Sequence, residues 1–113
     1  MTFLHHKTLT VEKWGKYPFY KQIFMIANEL NRAKNMILSG DIPETDKCYE
    51  RAFELIDITA AIIKNKSMLR ELLRLRELMA SSYVLKKYAS KANSEYYNVL
   101  LTFTPESFVL YEN

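Results

Sequence analysis

Residues 18–43 read PFYKQIFMIANELNRAKNMILSGDIP, and this stretch decides the fold. Phe19, Ile23, Ile26, Ala27, Leu30, Ala33 and Ile37 recur at steps of three and four, the spacing that puts apolar side chains on one face of a helix. Pro18 suits the first turn, where a missing N–H costs little. Gly40 supplies a stop, because glycine takes the left-handed conformation that ends helices. The pattern predicts a helix over 18–39. Asp41 is a capping residue, Pro43 falls in the next first turn, and Glu44 and Asp46 sit near its positive end. A second helix is therefore expected over 42–64, with Cys48, Tyr49, Ala52, Leu55, Ile56, Thr59, Ile62 and Ile63 as its stripe. A link this short makes the two helices antiparallel neighbours.

Working outward, 64–66 break the pattern and Ser67 is the expected cap of a third helix over 67–88. Leu69, Leu72, Leu73, Arg76, Met79 and Tyr83 face one way. Leu75 and Leu78 lie off that stripe, so this helix shows apolar side chains on more than one face and is expected at the bundle centre or against a second subunit. Asn93 or Ser94 is expected to start a shorter fourth helix over 93–103, carrying Tyr97, Leu100 and Leu101, although 96–103 also has strand propensity. Residues 1–17 read as an ordered arm, in which Thr10 caps a turn or Thr8–Val11 runs extended. In the tail, 104–113, Thr104, Pro105 and Glu106 form a helix-start signal. The expected fold is one all-α domain over 1–113, an up-and-down bundle of three long helices and a shorter fourth.

The 113 residues include only two glycines, three prolines and one cysteine, which excludes several chemistries. Turn-rich β folds use more glycine and proline. Phosphate-cradling loops need clustered glycines, and Gly15 and Gly40 are isolated. A structural zinc site needs about four Cys or His ligands, and the chain holds only Cys48, His5 and His6. A di-iron bundle needs histidines on two helices. No metal or cofactor is expected. Cys48 lies on an apolar stripe and reads as a small buried hydrophobe rather than the nucleophile of a Cys–His pair. Glu29, Glu50, Glu54 and Asp57 lie on or beside the first two stripes. Glu54 and Asp57 share a face and are the one acid–base candidate; pairing with Arg32, Arg51 or Arg70 is the expected alternative. No run is long enough to span a bilayer, and 1–7 lack the pattern of a secretion signal. The expected compartment is the cytoplasm.

Charge is uneven. Residues 1–63 are net neutral; residues 64–91 carry eight basic and two acidic side chains; residues 92–113 carry three glutamates and no lysine or arginine. Arg70, Arg74, Lys86 and Lys87 are thus candidates for neutralising phosphates, against the alternative of a solvated face. The chain also holds fifteen aromatics and five methionines, counting Phe, Trp and Tyr together, more than one narrow core uses. Interfaces favour such residues. The expected function is a non-enzymatic protein–protein interaction module, an adaptor, chaperone or regulatory subunit that forms a homodimer, with Leu75, Leu78, Tyr96 and Phe108 as interface candidates. The alternative is a weak nucleic-acid binder using the basic third helix.

The segment from Glu29 to Asp41, followed by the helix around Tyr49–Leu55, is similar to the helix–Gly-Asp–helix hairpin of several small bundle families, flagellar export chaperones among them, and the chain resembles HEPN-domain bundles in size. The likeness covers about a third of the chain. HEPN ribonucleases pair an arginine with a downstream histidine on a late helix. No histidine follows Arg70, Arg74 or Arg76 here, so the resemblance implies the bundle without that activity.

Overall fold

The computed structural model describes residues 3–112. Met1, Thr2 and Asn113, at the ends of the expected arm and tail, lie outside the described residues, as do the side chains of Leu110, Tyr111 and Glu112. Six helices and no strand occur among the described residues: α1 Val11–Gly15, α2 Phe19–Leu38, α3 Ile42–Ile62, α4 Lys66–Leu85, α5 Ser90–Leu101 and α6 Pro105–Glu112. Three long helices and a shorter fourth form the expected all-α bundle, flanked by one short helix at each end. No helix among the described residues is long and apolar enough to cross a membrane.

The α2–α3 hairpin closes as its residues require. Gly40 adopts φ 75°, and the N–H groups of Gly40 and Asp41 donate to the carbonyls of Ile37 and Met36 at 3.1 and 2.9 Å. This is the paired closure of a left-handed helix end. Asp41 then caps α3 through the N–H of Glu44 at 3.1 Å. At the other long-helix end the left-handed residue is Lys86, φ 54°, and the N–H groups of Lys86 and Lys87 reach the carbonyls of Tyr83 and Ser82. A non-glycine residue here costs about 1 kcal/mol. Lys86 offsets that cost by pairing with Asp46 at 2.9 Å and lying 3.9 Å from the centroid of the Tyr83 ring.

Helix α2 and the end of α3 lie within two residues of expectation, and α4 and α5 differ more. Asn65, not Ser67, caps α4, through the N–H of Met68. The helix ends three residues early at Leu85, where the left-handed turn intervenes. The fourth long element starts at Ser90, not Asn93, because Asn93 faces inward. It is 2% exposed; its Nδ2 donates to the Leu30 carbonyl of α2 at 3.0 Å and its Oδ1 accepts from the Tyr49 hydroxyl of α3 at 2.8 Å. One side chain thus ties three helices. The arm contains α1, capped by Thr10, whose Trp14 is fully buried and donates from Nε1 to the Thr59 hydroxyl at 2.8 Å. Gln22 fixes the turn after α1 by donating to the carbonyls of Trp14 and Tyr17. In the tail, Thr104 caps the start of α6 through the N–H of Ser107.

The core runs through Ile23, Ile26 and Leu30 of α2, Tyr49, Ile56 and Ile58 of α3, Leu72 and Met79 of α4, and Leu100 of α5. Helix α2 packs closely on α3 and α5, and α3 packs on α4, whereas α4 and α5 meet sparsely. Replacing Asn93 by Leu leaves the buried Tyr49 hydroxyl without its acceptor, and a buried unsatisfied group costs about 1–3 kcal/mol. Urea denaturation should show a loss in that range for Asn93→Leu, and a smaller additional loss when Tyr49→Phe is added. Strictly additive losses would contradict the coupling.

Candidate functional site

The sparse meeting of α4 and α5 follows from what holds each of them. Asn93 fastens α5 toward α2 and α3. Helix α4 is fastened to α3: Arg76 clamps Asp57 through Nε and Nη2 at 2.7 and 3.0 Å, its guanidinium stacks 4.9 Å from the Phe53 ring centroid, and Phe53 meets Tyr83 edge to face. A groove remains between α4 and α5. It comprises two adjoining hollows of about 260 and 220 Å³ that share Glu71 and Val99. Met68 and Phe103 line one, and Leu78 and Tyr96 the other. Leu78 is 54% and Val99 43% exposed. A polar tie crosses the groove: the Tyr96 hydroxyl lies 3.0 Å from the Ser82 hydroxyl and donates to the Leu78 carbonyl at 3.1 Å.

Of the residues expected at an interface, Leu78 and Tyr96 line this groove. Leu75 requires correction. It is 3% exposed and belongs to the core as the floor of the groove, because its position on α4 turns it inward between Leu72 and Met79. Phe108 is 38% exposed on α6, which packs on α5 and α2, and it does not line the groove.

The four basic candidates are not brought together. Arg70 is exposed and has no ion pair among the described residues. Arg74 pairs with Glu71 at 3.1 Å. Lys86 is held by Asp46 and Tyr83, and Lys87 is exposed beyond it. Sixteen residues separate Arg70 from Lys86, about 24 Å along a helix axis at 1.5 Å per residue.

The carboxylates are occupied. Glu29 accepts from Arg51 and Arg32 at 3.1 and 3.3 Å, as expected. Asp57 pairs with Arg76, not Arg70. Glu54 accepts from the consecutive backbone N–H groups of Leu4, His5 and His6 at 3.1, 3.0 and 2.9 Å, and from His6 Nδ1 at 2.8 Å. Successive N–H groups of this kind form an anion-binding concavity, and here it clasps the arm to α3. Glu50 binds His5 Nε2 at 2.9 Å and the Tyr83 hydroxyl at 2.7 Å. Burial pushes both carboxyls up, but the donors outweigh it and hold both below their ordinary value. The same bond to Glu50 is the main reason Tyr83 is pushed up to about 12. Burial and its bond to Asp46 push Tyr88 up as well. Cys48 is buried, with its thiol raised by that burial and its Sγ accepting from Arg51 at 3.4 Å. The histidines bind Glu50 and Glu54 instead of meeting it. No group of three or more His, Cys, Asp or Glu side chains among the described residues is placed to hold a metal ion.

Residue reasoning missed the clasp on Glu54, whose partners are mostly backbone groups with no sequence signature. It also missed the Asn93 tie, for which a signal existed: Asn93 lies four and seven residues before Tyr97 and Leu100, on the apolar stripe itself. No family model matches the chain, and searches of curated proteins and of solved structures found no match.

The clasp sets a pH dependence. Glu50 and Glu54 have lowered pKa values when folded, so the unfolded chain binds more protons in acid. Their stabilisation is therefore complete above the unfolded carboxylate value and is lost as pH falls through the folded values. Stability measured by urea denaturation should drop as pH falls below about 5, and Glu54→Gln should flatten that drop. An equally steep drop in the variant would contradict the assignment.

Proposed function

We propose that this chain is a non-enzymatic protein–protein interaction module that associates with itself through the α4–α5 groove. The observation that carries this reading is the apolar lining left at the surface where two helices of one bundle fail to close. Leu78 and Val99 face each other across that opening with about half of each side chain exposed. A helix with apolar side chains on a second face is one that has further surface to bury. Burial of such side chains removes roughly 25 cal/mol per Å² from the free energy of the associated state. An adaptor, chaperone or regulatory subunit works by this kind of burial. Glu54, Asp57 and Cys48, the residues whose acid–base or nucleophilic potential the sequence singles out, already have structural partners, which favours binding over catalysis.

Sedimentation velocity over a concentration series tests the reading. The wild-type chain should populate a dimer, and the double substitution Leu78→Asp with Val99→Asp should sediment as a monomer of unchanged helix content. A wild-type chain that stays monomeric throughout, or a variant that keeps the dimer, would contradict it.

A further inference from the structure

The charge asymmetry of the sequence reappears across the groove. On the α4 lip stands Arg74 beside its partner Glu71; on the α5 lip stands Glu95. Arg74 and Glu95 both line the hollow that lies over Leu75 and Leu78. Glu95 has no ion pair among the described residues. The existing bond of Arg74 to Glu71 joins side chains that are 62% and 55% exposed, and exposed pairs of this kind are worth little. Both charges are therefore available to a partner.

From this we infer that the occupant of the groove is a second copy of this chain, docked about a twofold axis through the hollow, with Arg74 of each copy on Glu95 of the other. A surface with an arginine on one lip and a glutamate on the opposite lip complements itself under a twofold rotation about an axis that runs along the groove, because that rotation exchanges the lips. A twofold contact is isologous, so the ion pair forms twice. The same rotation lays the Leu78 and Val99 side chains of the two copies over one another. A phosphate backbone fits the same hollow poorly, since Glu71 and Glu95 stand in it beside Arg74. The inference rests on the self-association proposed above and adds its geometry.

Charge reversal tests it. Dimer dissociation constants are measured by sedimentation for wild type, Arg74→Glu, Glu95→Arg and the doubly reversed chain. All of these positions are exposed, and circular dichroism confirms that each variant is folded. Each single reversal should weaken the dimer by roughly tenfold or more, since it sets like charges against each other at two places. The double reversal should return to within about threefold of wild type. A dimer indifferent to the single reversals, or a double reversal as weak as the singles, overturns the twofold pairing and leaves self-association standing. A wild-type monomer at every concentration overturns both.

Discussion

The buried amide of Asn93 is the constraint on which the rest of the arrangement depends. Its donor is spent on a backbone carbonyl of α2 and its acceptor on a tyrosine hydroxyl of α3. A polar group sealed in a core must be satisfied, and few positions satisfy an amide at both ends. The geometry of α5 is therefore set by hydrogen bonds as well as by apolar contact. Apolar packing alone tolerates sliding and rotation, whereas this amide fixes α5 in one place along α2.

The consequence appears on the other side of the bundle. Helix α4 answers to a separate set of anchors on α3: the Arg76–Asp57 clamp, the Phe53–Tyr83 contact and the Lys86–Asp46 pair. The arm reinforces the same pair of helices, since Glu54 holds its backbone while Glu50 links His5 to Tyr83. Helices α2 and α3 pack closely on each other, α5 is held on α2 and α4 on α3, so the bundle keeps one weakly joined seam, between α4 and α5, bridged by Tyr96. The opening there is a product of where the strong bonds lie, and it leaves Leu78 and Val99 uncovered.

Most of the fold was legible because it is written in local signals. Spacings of three and four between Phe19 and Ile37, with Gly40 and Asp41 behind them, dictate a helical hairpin. The helix ends were read less well where a residue acts against its usual preference: Lys86 takes a left-handed conformation that glycine would take more cheaply, and only its contacts with Asp46 and Tyr83 account for it. The long-range ties were least legible. Nothing local says that Trp14 will seek Thr59, or that three arm amides will converge on Glu54. Leu75 shows the limit of periodicity, since a helix with two apolar faces does not say which face turns inward. Once Leu72 and Met79 face the core, Leu75 must join them and Leu78 must not. The charge blocks were visible in the sequence, but the placement of Arg74 and Glu95 on opposite lips of one groove required the fold.

The central claim, that the open α4–α5 seam is where two copies meet, is tested most directly by paramagnetic broadening between copies. A nitroxide is attached at Ser81→Cys on the exposed side of α4, where the native Cys48 is buried and out of reach. The labelled protein is mixed with an unlabelled, nitrogen-15-enriched copy. The account predicts that the amide signals of the enriched copy broaden along α5 and the facing part of α4 and stay sharp in α1 and the first half of α2. Broadening centred on α1 or α2, with α5 untouched, would contradict it.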